Sequence, residues 1–173
     1  MSSSTKNSVL IFLPKKGFNE EEYNIVRARL LKARKQVFIT SDDHSVCSGS
    51  KGMKVKSDTS FLNVNVNNFS SLILIGGSGS RNYWKNESLH KIIKKFFEAK
   101  KVIAAICSSP VILANAGILQ DKKATCFSED KMELINAGID YQDRNVVVDE
   151  HIVTANDSKS ALQFSEAVLH LIK

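Results

Sequence analysis

The sequence predicts an α/β protein with a mostly parallel central sheet covered on both faces by helices. Apolar runs of strand length recur at residues 8–13, 36–40, 71–75 and 102–106. Between them, residues 19–35 and 87–100 carry apolar side chains at helical spacing. Strands that are apolar throughout belong to sheets buried on both faces, and strand–helix–strand order makes neighbouring strands parallel.

Residues 1–7 are polar and read as a tail, with one domain over 8–173. After the first strand, Tyr23, Val26 and Leu30 line one face of the 19–35 helix. The 41–56 segment is rich in Ser, Asp, Gly and Lys, which predicts loop with short edge strands and Cys47 at the surface. Residues 63–68 alternate around Val64 and Val66 and fit strand or loop. The 71–75 strand ends at Gly76-Gly77-Ser78-Gly79. Tyr83 and Trp84 then either shield a pocket or fill core ahead of the helix bearing Leu89, Ile92, Ile93, Phe96 and Phe97. A helix is predicted over 130–137, a β-pair at the sheet edge over 145–149 and 151–155, and a last helix over 158–172.

Hydrophobic content of 43% and charged content of 24% are those of an ordinary globular chain. No apolar run is long enough to span a bilayer and no leader is recognisable, so an intracellular, cytoplasmic protein is expected. Cys47, Cys107 and Cys126 lie far apart, as do His44, His90, His151 and His170. That spacing suggests neither a disulfide framework nor a metal site, and no cofactor is expected. The net charge of +6 includes a cluster at Lys91, Lys94, Lys95, Lys100 and Lys101. It reads as a solvated helix face rather than a nucleic-acid surface, and no nucleic-acid or membrane partner is expected.

The richest chemistry lies where the 102–106 strand stops at Cys107 and a helix begins near Pro110, to end at Gly117. Proline suits a helix's first turn and glycine its C-terminal cap. A thiol at that bend meets unpaired N–H groups and a helix dipole, which favour a thiolate. A buried structural cysteine is the alternative. The Gly76-Gly77 turn fits neither the dinucleotide fingerprint nor the P-loop. Flavin binding or a set of oxyanion donors are its other uses. Glu20, Glu21 and Glu22 open the first helix, where acids commonly offset the dipole.

The run Ile103-Ala104-Ala105-Ile106-Cys107-x-x-Pro110, with Leu113-Ala114-x-Ala116-Gly117-Ile118-Leu119 and Lys123-Ala124-Thr125, resembles the ThiJ/PfpI superfamily. Leu72 to Gly77, the Gly17-Phe18-x-Glu20-x-Glu22 segment and the 146–154 stretch extend the likeness over nearly the whole chain, toward the DJ-one-like deglycase branch. The resemblance implies a flavodoxin-like three-layer sandwich with a nucleophile elbow, and a homodimer. It implies Cys107 as the reactive thiol, Glu22 as the acid that hydrogen-bonds it, and the Gly77 and Ser108 N–H groups as oxyanion donors. Gly76, Cys126 and Phe127 would surround them.

Ser108 stands where the peptidase-like branch carries histidine, so the adjacent imidazole that would serve as general base for proteolysis is missing. Phe127 replaces a position often His or Tyr, and Asn156-Asp157-Ser158 replaces an Arg-Gly-Pro. With no basic side chain expected nearby, a protonated Glu22 would stabilise the thiolate, the two titrating as a pair. The activities implied are conversion of small aldehydes by a cofactor-independent glyoxalase or deglycase, and oxidation sensing at Cys107. A chaperone or interaction module is the alternative.

Overall fold

The computed structural model describes residues 7–172. In chain order the elements are β1 (Ser8–Phe12), β2 (Lys16–Phe18), α1 (Glu20–Lys32), β3 (Gln36–Ser41), β4 (Val46–Gly49), β5 (Lys54–Lys56), β6 (Thr59–Ser60) and β7 (Ser71–Leu74). There follow α2 (Glu87–Glu98), β8 (Val102–Ile106), α3 (Pro110–Asn115), β9 (Lys123–Ala124), α4 (Lys131–Asn136), β10 (Asp140–Tyr141), β11 (Val146–Asp149), β12 (Ile152–Ala155) and α5 (Ala161–Leu171). The main sheet has seven strands in the order β11-β12-β8-β7-β1-β3-β6. All its pairings are parallel except β11–β12.

Strand alternation divides the core into two layers. Leu10, Phe12, Leu72, Leu74, Ile103 and Ala105 face one way and pack on Leu89, Ile93, Phe96, Val111 and Leu134 of α2, α3 and α4. Val9, Ile11, Ile73, Ile75, Ala104 and Ile106 face the other way, onto Tyr23, Val26 and Leu30 of α1 and Phe164 and Val168 of α5. The expected three-layer arrangement is therefore present.

The expected tail lies outside the described residues except for Asn7, whose side chain donates to the Arg34 carbonyl at 2.8 Å. The expected surface position of Cys47 is corrected. β2, β4 and β5 form a separate small sheet, and Cys47 on β4 is fully buried against Phe18 and its neighbours. Residues 63–68 form no strand; short 3₁₀ turns cover 61–63 and 66–68. The lysine cluster lies on and after α2, where the Lys101 ammonium donates to the Val66 and Phe69 carbonyls. Among the described residues no helix is long and apolar enough to cross a membrane.

Candidate active site

Sheet register brings the site together. Leu74 of β7 lies opposite Ala105 of β8. Two residues further on, at the carboxyl ends of both strands, Gly76 comes level with Cys107. A Cβ on Gly76 would stand 2.5 Å from the Cys107 Cβ and 2.6 Å from the Ile106 carbonyl oxygen. Only glycine lets the thiol sit so close to the end of β7.

Cys107 has φ +63°, a left-handed conformation that costs a non-glycine residue about 1–2 kcal/mol. The surrounding bonds hold it there. Its N–H donates to the Ala155 carbonyl at 3.0 Å and its carbonyl accepts from Phe127 N–H at 2.8 Å. The Ser109 hydroxyl donates to the Ile75 carbonyl at 2.8 Å. The Trp84 indole N–H donates to the Ser108 carbonyl at 2.9 Å. Trp84 thus staples the elbow from below, and Tyr83 is buried in the core, its hydroxyl accepting from Lys15 N–H at 3.1 Å. Trp84→Phe strands the Ser108 carbonyl. A loss of about 1–2 kcal/mol is expected, read from the urea midpoint.

Glu22 reaches the thiol from α1. Asn19 caps that helix, its side chain accepting from Glu22 N–H at 3.1 Å while its own N–H donates to the Gly76 carbonyl at 2.8 Å. The Glu22 side chain is fully buried. Its Oε2 accepts from Gly76 N–H at 2.8 Å, and Oε1 has no hydrogen-bond partner that meets ordinary geometry. Burial pushes the Glu22 carboxyl up to about 7, against the Gly76 N–H and the Cys107 thiol, which favour its charge.

The thiol is 8% exposed, and burial pushes it up to about 12 with the Glu22 charge as the second cause. Gly77 N–H and both the hydroxyl and N–H of Ser108 oppose that rise. The expectation that the bend and the helix dipole favour a thiolate beside a protonated Glu22 is thereby corrected. Desolvation outweighs them, and α3, only six residues long, starts three residues beyond the thiol. The anion near neutrality belongs to the pair, which sheds one proton near 7 and the second near 12. The first of those protons is the carboxyl's, whose charge the Gly76 N–H and the Cys107 thiol both favour, and the thiol keeps its own well past neutrality.

Above the thiol lies a cavity of about 250 Å³ lined by Asn19, Gly77, Ser78, Arg81, Cys107, Ser108, Phe127, Glu129, Asp157 and Ser158. A larger hollow of about 670 Å³, bounded by residues 62–67 and α2, is lined by no cysteine. Of the expected residues, Cys107, Glu22, Gly76, Gly77, Ser108 and Phe127 come together here. Cys126 does not line the cavity. It is fully buried in the core layer on the other face of the sheet, its thiol donating to the Phe127 carbonyl at 3.3 Å.

The expectation of no basic side chain near the thiol is also corrected. Arg81 lines the cavity, its Nε and Nη2 donating to Asp130 Oδ1 at 3.1 and 2.8 Å. A 3₁₀ turn over Ser78–Tyr83 carries it there from the glycine turn. No local pattern announces Arg81 as a wall residue; Trp84, expected to shield a pocket or fill core, instead braces the elbow, and Asp157 lines the cavity where the resemblance has an Arg-Gly-Pro. Among the described residues no group of three His, Cys, Asp or Glu side chains could hold a metal ion.

A buried cysteine–glutamate pair at the strand ends of a flavodoxin-like sandwich defines a class of thiol proteins. The DJ-1/PfpI family model matches residues 7–171, and the chain belongs to that family. It is 32% identical over 164 residues to the deglycase PfpI of Pyrococcus furiosus, covering 95% of this chain and 99% of the relative. It is 24% identical over 170 residues to the glutathione-independent glyoxalase DJR-1.2 of Caenorhabditis elegans, covering 98% and 91%. A putative cysteine protease, YraA of Bacillus subtilis, is 32% identical over 160 residues, covering 92% and 88%. The crystal structure of a ThiJ/PfpI domain protein from Brachyspira murdochii superposes with a TM-score of 0.94 at 28% identity, covering 97% of each chain.

Proposed function

We propose that this chain is a cofactor-independent glyoxalase with deglycase activity on early carbonyl adducts. One observation carries the reading: the Cys107 thiol is paired with a carboxyl that burial sets to about 7. A general acid–base works best with a pKa near the operating pH. On methylglyoxal, Glu22 takes the thiol proton as sulfur attacks the aldehyde carbon and passes it to the new alkoxide, forming a hemithioacetal. Glu22, now a carboxylate, removes the proton from that carbon and returns it to the neighbouring carbon through an enediol. The product is a lactoyl thioester. Water hydrolyses it to lactate and restores the proton pair. The Gly77 and Ser108 N–H groups, already directed at the sulfur, suit the developing oxyanion.

Proteolysis is disfavoured because no histidine lines the cavity among the described residues. Oxidation sensing is a second proposed role. It is favoured by Cys107 being the one thiol with an open edge, Cys47 and Cys126 both having none. Lactate formed from methylglyoxal, with a transient adduct of one substrate mass on Cys107, is the expected result; no lactate at millimolar substrate overturns the glyoxalase reading. Mild peroxide should add oxygen to Cys107 alone, and equal oxidation of all three cysteines overturns the sensing role.

A further inference from the structure

The cavity above Cys107 carries charges on its wall that the chemistry of the pair does not use. Arg81, Glu129 and Asp157 all line it. The guanidinium is not available to a ligand as a free cation. Two of its nitrogens bond the buried Asp130 carboxylate, and Glu129 stands 3.8 Å from Nη2. Arg81 and Asp130 cancel, which leaves the Glu129 and Asp157 charges at the entrance. Glu129 is mostly exposed, with a side-chain accessibility of 72%. Asp157 accepts from Lys159 N–H at 2.9 Å, and the Lys159 ammonium does not line the cavity.

We propose that Glu129 and Asp157 make this entrance a charge filter, admitting neutral and cationic carbonyl compounds to Cys107 and rejecting anionic ones. The favoured class comprises uncharged 2-oxoaldehydes and carbonyl adducts carried on ammonium- or guanidinium-bearing chains. Aldehydes bearing carboxylate or phosphate are disfavoured. The chain as a whole is positive, at +6, which acts in the opposite sense. Screening settles the contest: at physiological salt, charges beyond about 8 Å are largely screened, so the charges on the cavity wall dominate. The inference rests on the reading of Cys107 as the reacting group, and deepens it to a substrate class.

The test compares two disulfide-forming probes of similar size, cationic aminoethyl and anionic sulfonatoethyl methanethiosulfonate. Each joins its thioalkyl group to the Cys107 sulfur and releases methanesulfinate, the thiol proton passing to solvent. Each rate is divided by that of a free small thiol, and the reaction of a Cys107→Ser chain is subtracted. The ratio of the two rates cancels any change in the ionised fraction of the thiol. A preference for the cationic probe of about tenfold is expected at low ionic strength. It should shrink toward unity between about 20 and 500 mM NaCl. It should also fall in Glu129→Gln/Asp157→Asn, checked for folding by its thermal midpoint. A ratio near unity in the native chain, or one indifferent to salt and to both substitutions, overturns the filter. The salt series needs no variant, so misfolding cannot mask the answer. Lactate from methylglyoxal is measured in parallel. A charge-selective probe ratio without turnover leaves the filter standing and sinks the glyoxalase; turnover with a flat ratio does the reverse.

Discussion

Glu22→Gln is expected to lower kcat/KM for methylglyoxal about a thousandfold, the upper range for loss of a positioned acid–base. Glutamine keeps the size of the side chain and an oxygen to accept the Gly76 N–H, which Oε2 takes at 2.8 Å in the native protein. It can neither protonate the alkoxide nor remove the carbon-bound proton. Cys107→Ser should be equally severe, and the double variant little worse, because the pair acts as a unit. The native rate should rise with pH through about 7, as the pair sheds its first proton, and hold until the second leaves near 12. A stopped assay of lactate across pH reads both limbs. A profile without the rise near 7, or a Gln variant of native rate, removes Glu22 from the chemistry.

The same substitution should stabilise the fold at alkaline pH. Glu22 is raised from 4.5 in the open chain to about 7 when folded. Between those values the unfolded chain has released the proton and the folded chain still holds it, so stability falls as pH rises through this window. Below about 4.5 there is no penalty, and above about 7 it is complete. At about 1.4 kcal/mol per tenfold change in proton affinity, the full cost is about 3 kcal/mol. Urea unfolding of native and Glu22→Gln chains should therefore agree at pH 4.5 and diverge at pH 8, the variant being the more stable. A chain that retains so costly a carboxyl in its core gains from it elsewhere, and the thiol is its neighbour.

The parts of this protein that were legible in the sequence share one property: their signal is local. The 102–106 run, Pro110 and Gly117 specify a buried strand, a helix start and a helix end without reference to the rest of the chain. The structure has β8, α3 and a glycine at φ +80° there. The strand-end rule for open α/β sheets then placed Gly76, Gly77 and Cys107 at one rim. Glu22 needed the family resemblance, since three acids in a first helical turn look alike until one is buried. β2 is only Lys-Gly-Phe and pairs with β4 across a bulge, which leaves no periodicity to detect. That small sheet is also what buries Cys47, in a segment whose composition is that of an exposed loop. The thiol's proton affinity was misjudged for a related reason. Dipoles and N–H groups can be read from the chain, whereas the desolvation that outweighs them depends on how completely α1 closes over the sulfur.

Gly76→Ala should be the sharpest steric probe of that closure. A Cβ there meets the Cys107 Cβ at 2.5 Å, the Ile106 carbonyl at 2.6 Å and Glu22 Oε2 at 3.0 Å. Two of those atoms belong to the elbow itself, where Cys107 is locked at φ +63° by bonds to Ala155 and Phe127, so neither can swing aside. The added methyl must push β7 and β8 apart or drive Glu22 from its bond to Gly76 N–H. A loss of about 3 kcal/mol is expected, at the upper end for overpacking, read as a lower urea midpoint. Gly79→Ala is the matched control. Its Cβ would lie 1.7 Å from the Lys16 carbonyl oxygen, away from the sulfur. Both variants should be destabilised, but under conditions where each remains folded only Gly76→Ala should shift the step near 7 in the pH profile of Cys107 alkylation. If the alanine at 76 leaves that step in place, the carboxyl and the thiol are not held together by this glycine, and the coupling that underlies the proposed chemistry loses its structural basis.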